Sequence, residues 1–343
     1  MGTDLPPLTW DPPSIPDVHP PTRSIGPFWL RLIAFAVDSL ILGLIGLAMG
    51  SAFSYTLSEL GPWGRLVGFS IGLLYFGCLD SSIGNGQTLG KRLTRLRVTD
   101  LHGNTISLGK SLVRYTVLAA PFFLNGISLP ITRTSWTVLF LLGLAVFGVG
   151  GSTLYLLVFN RNTRQGLHDL AVGSYVVNAP ETGELRTKPI GRSQWVVVGL
   201  IFAVAFTAGV YGNRLATRGI FPQLLRDIRL VEQIDGVQQA GAVESTFHSE
   251  SDDWTKRTLV INVSLREDSS DPEALADQIA KLIIQNDKNI QDYDLLRVVL
   301  IRGFDIGIAH ESASSSFVNT PADWRQRLLP PPMEDQAATA AQK

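Results

Sequence analysis

The chain has 343 residues, of which 45% are hydrophobic and 17% charged, and its formal net charge is -1. Soluble proteins carry about 25% charged residues, so this composition indicates that part of the chain lies in lipid. Charge is divided unevenly, with 15 basic and 10 acidic residues up to Gly212 and 14 and 20 after it. The single cysteine, Cys78, excludes a disulfide framework, a thiolate zinc site and a Cys-x-x-Cys redox pair.

The first 27 residues are rich in proline and contain no apolar stretch typical of a signal peptide. We predict that residues 1–27 form a disordered, proline-rich arm and that residues 330–343 form a similar disordered tail. Pro13 and Pro16 have the PxxP spacing of partner-binding segments, but in so proline-rich a stretch we attribute this spacing to composition.

Five apolar stretches follow the arm, and three of them have the length and composition of membrane helices: 32–49, 136–158 and 195–212. The stretch 66–79 is shorter, and it crosses only if Trp63 is included and Arg65 reaches the interface. The stretch 112–129 contains Arg114 and a proline, so it is either a kinked crossing or a segment lying in the interface. We predict five crossings.

Lysines and arginines in the short loops predict the orientation, because cytoplasmic loops are enriched in them. Twelve precede the first stretch or lie in the loops after the second and fourth, whereas the two intervening loops contain only Arg65 and Arg133. The N-terminus is therefore predicted to be cytoplasmic. Five crossings place the residues after Gly212 outside; if the stretch 112–129 does not cross, they are cytoplasmic.

Three motifs occur in order along the first half of the chain: Arg31-Leu-Ile-Ala-Phe-Ala-Val-Asp38, Gly86-Gln-Thr-Leu-Gly-Lys-Arg-Leu93 and Arg164-Gln-Gly-Leu-His-Asp169. Together they resemble the RDD family of bacterial membrane proteins over about residues 25–177. The resemblance implies that Arg31, Asp38 and Asp169 are the defining residues. It also implies a polytopic bundle in the bacterial cytoplasmic membrane, and an ion or proton-coupled transport activity of the kind proposed for some members.

Arg31 and Asp38 are seven residues apart, so both project from one face of the first helix, with Asp38 about 10 Å deeper. A charged aspartate near the bilayer centre costs about 2.5 to 3.5 kcal/mol, so Asp38 must find a partner or stay protonated. We predict Arg114 as its counter-ion, since Arg31 can extend to the headgroups. Arg31, Asp38, Arg114 and Asp169 form a candidate ion or proton site; the alternative is a buried ion pair that fixes helix register.

The loop after the second apolar stretch is basic. Its Gly86–Lys91 segment lacks the spacing of a phosphate-binding loop. We predict that Lys91, Arg92 and Arg95 bind anionic lipid headgroups. The chain then enters a short hairpin turned by residues 100–104.

Small-residue faces at 46–50 and 68–72 are predicted to pack the bundle internally rather than to form a dimer. The five histidines have no spacing suited to a metal site. His168 beside Asp169 is expected to be a solvated interfacial residue rather than a proton relay. Since no nucleophile or carboxylate pair comes with a recognisable base, we predict no catalytic site, no cofactor and no metal.

Residues 213–329 are predicted to form a soluble α+β domain, because their apolar residues recur with the periods of strands and helices. The pattern indicates one sheet covered by two helices. The predicted elements, in order, are a helix at 221–234, strands at 240–248 and 258–266, a helix beginning at 271–273, and strands at 295–301 and 306–317.

The predicted fold class is therefore an all-α polytopic membrane helix bundle of about five transmembrane helices with a C-terminal soluble α+β domain. Its parts are an RDD-like transmembrane domain (28–178), a cytoplasmic linker (179–193), an additional transmembrane helix (194–212) and the domain at 213–329. Two functions remain open: ion- or proton-coupled transport, and a non-catalytic scaffold or assembly factor whose C-terminal domain binds another membrane or envelope protein. The expected partners are the lipid bilayer and such a protein, and not nucleic acid.

Overall fold

The structure, a computed structural model, describes residues 22–127, 135–181, 184–185, 187–215, 218, 221–249, 254–267 and 269–328. Most of the predicted arm, residues 1–21, and the whole predicted tail lie outside the described residues. The last part of the arm is described, and it contains the short strand β1 (Thr22–Arg23).

The chain up to residue 215 is mainly helical. Its helices are α1 (Phe28–Leu60), α2 (Gly64–Leu79), α3 (Leu89–Leu93), α4 (Leu108–Leu124), α5 (Trp136–Gly143), α6 (Gly151–Phe159), α7 (Leu167–Val172) and α8 (Arg192–Leu215). A 3-10 turn, Gly61–Trp63, separates α1 from α2, and a π-helical segment, Leu144–Gly150, joins α5 to α6. Among the described residues, three helical segments are long and apolar enough to cross a membrane: 28–79, 136–159 and 192–212.

The outer surface of these helices is apolar. Leu40 of α1, Leu74 of α2, Leu154 of α6 and Val196 of α8 are between 65% and 71% exposed. Soluble monomers rarely expose contiguous apolar surface on this scale. The helices therefore present a surface suited to lipid chains.

Helix α1 is longer than the predicted crossing at 32–49. Its 33 residues correspond to about 50 Å, whereas the hydrocarbon core of a bilayer is about 30 Å thick. The helix is kinked at Phe53, where φ is -132° and ψ is 25°, and it stops at Gly61, whose φ of 51° is left-handed. Beyond the kink, Tyr55 lies beneath the guanidinium of Arg302, so this end of α1 meets the C-terminal domain.

Helix α4 packs antiparallel to α2 along the whole length of α2. Near the beginning of α4, the hydroxyl of Ser111 donates to the carbonyl oxygen of Phe76 at 3.3 Å. At the other end, Arg65 in the first turn of α2 donates to the carbonyl oxygens of Phe123 (3.1 Å) and Asn125. The two helices therefore cover the same distance across the bundle.

The N-terminal region is not entirely helical, contrary to the all-α prediction. It also contains the strands β2 (Leu96–Thr99), β3 (Tyr175–Asn178) and β4 (Glu184–Leu185). β2 pairs antiparallel with β3, and β1 pairs parallel with β4, so the predicted linker at 179–193 contributes a strand.

The predicted local hairpin after β2 is wrong. A turn does form, in which the backbone N–H of Asn104 donates to the Asp100 carboxylate at 2.8 Å, but the chain then enters α4. β2 pairs instead with a strand about 80 residues further along the chain. This pairing buries Leu96 and Val98 against Val176 beneath α1.

The C-terminal domain contains α9 (Phe221–Val231), β5 (Val237–Ser249), β6 (Trp254–Leu265), α10 (Pro272–Asn286), β7 (Leu295–Asp305), β8 (His310–Asn319) and α11 (Pro321–Leu328). The first six elements follow the predicted order, and α11 is additional. The strands form one sheet in the order β5-β6-β7-β8, with β6 and β7 parallel and the other pairs antiparallel.

The core of this domain lies between one face of the sheet and the helices. The alternating β6 residues Leu259, Ile261 and Val263 are fully buried there, together with Ile279 of α10. Trp324 of α11 packs at one end of this core and donates its indole N–H to the Leu296 carbonyl oxygen at 3.2 Å. The alternation that predicts β6 also determines which of its faces is buried.

Three of the four glycines in the predicted small-residue faces, Gly46, Gly50 and Gly68, contact the C-terminal domain rather than a neighbouring helix. A Cβ atom on Gly46 would lie 2.7 Å from Cβ of Ala309, and one on Gly68 would collide with the carbonyl oxygen of Ile306. Both contacts are with the turn between β7 and β8, which lies between α1 and α2. Gly72 does pack inside the bundle, against Tyr115 of α4. The C-terminal domain is therefore wedged into one end of the bundle.

Candidate functional site

At the opposite end of the bundle, six ionisable side chains come together. We call them the buried polar cluster: Arg31 and Asp38 of α1, Asp80 at the end of α2, Lys91 of α3, Arg114 of α4 and Asp169 of α7. All except the partly exposed Arg31 are at least 91% buried. The sequence predicts four of these residues as a candidate site.

Asp38 is held by three hydrogen-bond donors. The hydroxyls of Tyr75 and Thr88 donate to its carboxylate at 2.7 and 2.6 Å, and the backbone N–H of Gly90 donates at 2.8 Å. Thr88 caps α3 and Gly90 lies in its first turn, so the carboxylate sits at a helix N-terminus, where negative charge is favoured. Asp38 thus obtains its partners from hydroxyls and backbone.

This arrangement requires glycine at position 90. A Cβ atom there would collide with the carbonyl oxygen of Ala34 and lie 3.0 Å from Cγ of Asp38. The absence of a side chain lets α3 approach α1 closely enough for its amide to reach the carboxylate. Gly90 of the Gly86–Leu93 motif is therefore required by the contact between α3 and α1.

The other two aspartates, Asp80 and Asp169, form ion pairs with cationic side chains. Lys91 donates to both carboxylate oxygens of Asp80, at 2.6 and 2.8 Å. Arg114 donates from Nη1 to Asp80 and from Nε to Asp169, both at 2.8 Å. Ser174 also donates to Asp169, at 2.9 Å. Arg114 is thus the bridge between α2 and α7.

The predicted pairing of Arg114 with Asp38 is wrong. The guanidinium is committed to Asp80 and Asp169, while α3 supplies the donors for Asp38. Depth in the membrane does not distinguish these partners; the loop after α2 folds back against α1 and brings the donors of α3 to Asp38.

The prediction that Lys91 binds lipid headgroups is also wrong. Its ammonium group is directed into the bundle and paired with Asp80, so it does not reach lipid headgroups. Arg92 and Arg95 are exposed on the same segment. For these two residues, headgroup binding stays a prediction.

Arg31 does not extend to the headgroups either. It donates to three backbone carbonyl oxygens, those of Gly26 (3.1 Å), Arg164 (2.6 Å) and Val176 (2.8 Å). These carbonyls belong to segments far apart in the sequence. Arg31 therefore ties the beginning of α1 to the loop before α7 and to β3.

His168 is buried, contrary to the expectation of a solvated residue. It is 3% exposed, and its Nε2 lies 3.3 Å from a carboxylate oxygen of Asp169. Burial lowers the pKa of His168 to about 4, so the imidazole is neutral at pH 7. Burial would raise the pKa of Asp169, but the charges of His168, which is protonated only at low pH, and of Arg114 and Arg31 hold that pKa well below its usual range.

The charges of the buried polar cluster balance. Three carboxylates, those of Asp38, Asp80 and Asp169, face three cations, Arg31, Lys91 and Arg114, so the net charge is zero when all six are ionised. Such balance reduces the cost of burying charges in a low-dielectric interior. It also means that losing one proton leaves one uncompensated negative charge.

Sequence reasoning missed Asp80 as a member of the site. This residue directly follows the second apolar stretch, at the predicted end of a crossing. Asp80 lies 11 residues before Lys91, and the loop between them has no regular repeat from which their contact could be predicted. The available signal was an aspartate at the end of an apolar run, facing a basic loop.

Comparison with known proteins accounts for the motifs. Residues 25–173 match the model of the RDD family, and the match covers less than half of the chain. This segment is similar to the RDD family. It contains the whole buried polar cluster, whereas α8 and the C-terminal domain lie outside it. No curated protein and no solved structure matches the chain.

Proposed function

We propose that this chain is a multi-pass, non-enzymatic protein of the bacterial cytoplasmic membrane that exchanges protons for a small monovalent cation at the buried polar cluster. The observation that carries the proposal is the burial of the Lys91–Asp80 pair inside a charge-balanced group. Exchange requires a group inside the bundle that can lose its charge by releasing a proton. It also requires a cation that can then bind the carboxylate with which this group was paired.

Lys91 is the cation best suited to release a proton. Arginine does not deprotonate in proteins, which excludes Arg31 and Arg114. Burial lowers the pKa of Lys91, although Asp80 opposes this change. Once Lys91 is neutral, the cluster carries one negative charge, and a monovalent cation bound at the Asp80 oxygens restores neutrality. Proton release and cation binding are thereby linked one for one.

The packing of α4 supports five crossings and an outer C-terminal domain. Because α4 accompanies α2 from Ser111 to Phe123, it covers the same distance as α2. With α1, α2, α4, the α5–α6 segment and α8 as crossings, the twelve loop cations favour a cytoplasmic N-terminus. The buried polar cluster then lies in the cytoplasmic half of the bundle.

The test is exchange by the purified full-length chain in liposomes, read with an internal pH dye after a sodium or potassium gradient is imposed. Lys91→Arg keeps the positive charge but cannot release a proton at physiological pH, so we expect it to fold and to lose exchange. The double variant Lys91→Met with Asp80→Asn keeps the cluster neutral and should also fold without exchange. Arg92→Gln, on the exposed side of α3, is the matched control and should retain exchange.

A wild-type chain that moves no protons under any cation gradient would overturn the proposal, as would undiminished exchange by Lys91→Arg. The first of these results would favour the second candidate, a scaffold or assembly factor; the second result would exclude Lys91 as the group that releases the proton. One face of the C-terminal sheet supports this candidate, since Val243 is 48% exposed and its neighbours Val260 and Asn262 are only partly covered. A scaffold would function without proton release by Lys91.

A further inference from the structure

The turn between β7 and β8, residues 305–310, enters the end of the bundle distant from the buried polar cluster. We call it the distal hairpin. Ile308 packs against the apolar cluster formed by α1, α2 and α4, and Ile306 is fully buried against Leu57 of α1. Gly307, whose φ is 79°, lies against the ring of Phe123. The hairpin thus inserts between three helices.

Four glycines line the part of this insertion site formed by α1 and α2. Gly46 and Gly50 of α1 and Gly64 and Gly68 of α2 all contact atoms of β7 or the distal hairpin. Because glycine has no side chain, the atoms that fill this groove belong to the C-terminal domain and not to the helices. Withdrawal of the hairpin would therefore leave an open groove.

The groove is aligned with Asp38. Along α1, Asp38, Leu42, Gly46 and Gly50 are four residues apart and all buried, so they form one stripe with steps of about 6 Å. Between the hairpin and Asp38 lies an apolar barrier that includes Leu42 and the stacked rings of Phe76 and Tyr115, whose centroids are 5.1 Å apart.

Among the described residues, an ion pair between α2 and the hairpin adds to this apolar packing. Arg65 donates to Asp305 from Nη2 at 2.6 Å and from Nε at 3.0 Å. The side chain of Asp305 is 44% exposed, so water competes for it. Partly exposed pairs contribute little stability, which suits a contact that forms and breaks.

We infer that the distal hairpin is a gate: it closes the groove that leads from the distal face of the bundle to the apolar barrier at Leu42, and its withdrawal admits water to that barrier, one helical turn from Asp38. This inference deepens the proposed function, since it names the second access route to the same site. Under the proposed orientation, the gate belongs to the outer domain and closes the outer route.

Cysteine labelling tests the gate without reference to transport or orientation. In full-length protein purified in detergent, with Cys78→Ala, the reporter Leu42→Cys is treated with a charged methanethiosulfonate. Adding Asp305→Asn should raise the labelling rate about fivefold, the equivalent of about 1 kcal/mol lost from the closed state. Glu311→Gln removes a carboxylate from β8 but leaves the Arg65–Asp305 pair, so its rate should equal that of the parent. Equal rates in Asp305→Asn and the parent would overturn the inference.

A reversible lock separates this inference from the proposed function. Gly46→Cys with Ala309→Cys can join α1 to the distal hairpin, because a Cβ on Gly46 would lie 2.7 Å from Cβ of Ala309 and a shift of about 1 Å brings the pair to disulfide distance; the reduced double variant must therefore first be shown to exchange like the wild type. In liposomes, oxidation should stop exchange and reduction should restore it. Undiminished exchange with the disulfide formed would overturn the gate and leave the proposed function standing. If the wild-type chain exchanges nothing, the proposed function fails, and the labelling rates still decide whether the hairpin opens.

Discussion

Lys91 donates to both carboxylate oxygens of Asp80, so a lysine of a basic loop forms the interior contact between α3 and the end of α2. The exposed Arg92 is its neighbour in sequence and provides a direct comparison. One residue is committed to the bundle and the other faces outward, although the sequence presents both as members of one basic run.

Lys91→Met should destabilise the protein by about 3 to 5 kcal/mol, because it leaves the Asp80 carboxylate buried with one of its two cations removed. Arg92→Met should stay within about 0.5 kcal/mol of the wild type, since it changes an exposed side chain. Thermal unfolding of both variants in the same detergent measures the difference. Equal stability of the two variants would show that Lys91 is not paired in the interior.

Asp38→Ala should cost about 1 to 3 kcal/mol for each donor left without an acceptor among Tyr75, Thr88 and Gly90. Arg114→Leu should not rescue it, because Arg114 has other partners. In double-mutant cycles we expect the coupling of Arg114 with Asp169 to be about 1 to 3 kcal/mol and to exceed that with Asp38. Rescue of Asp38→Ala by Arg114→Leu would restore the pairing that the structure contradicts.

Gly90→Ala should destabilise the protein and reduce the yield of folded chain, since the added Cβ meets the Ala34 carbonyl oxygen. Gly109→Ala is the matched control in another helix: a Cβ there meets nothing within 4 Å. Removing a helical glycine at such an open position should stabilise by about 0.5 to 1 kcal/mol. We expect the unfolding temperature to fall in Gly90→Ala and to rise in Gly109→Ala, relative to the wild type.

The C-terminal domain should lose stability as the pH rises. Asp227 of α9 is fully buried, and Gln223 donates to one of its oxygens at 3.0 Å. Burial, reinforced by Asp287, raises the pKa of Asp227 to about 7. The folded state therefore holds a proton that the unfolded state releases near pH 4, and the stability this provides is lost as the pH rises through about 7.

Asp227→Asn removes this proton and keeps the size of the side chain. We expect the unfolding temperature of the variant to depend less on pH between 4 and 8 than that of the wild type. Asp323→Asn, on the exposed part of α11, is the control and should retain the wild-type pH dependence. Parallel profiles for the wild type and Asp227→Asn would contradict a protonated Asp227.

Periodicity and hydropathy predict most of the elements here because they depend on local sequence. Alternating Leu259, Ile261 and Val263 predict β6 and its buried face, and the apolar run before Gly212 predicts α8. The motif residues Arg31, Asp38 and Asp169 also indicate the end of the bundle at which the buried polar cluster lies. Each of these inferences needs only the repeat of one helix or strand, or a motif that can be read directly.

Partner choice was decided by the tertiary structure. Asp38, Asp80 and Asp169 are all candidates for Arg114 by depth alone, and the folding of the loop after α2 selects the last two. The same holds for β2, which pairs with distant β3, and for Gly46 and Gly68, which face the distal hairpin. Such contacts depend on the three-dimensional approach of segments that are far apart in the chain. Hydropathy and residue spacing describe only local sequence, so they do not predict these contacts.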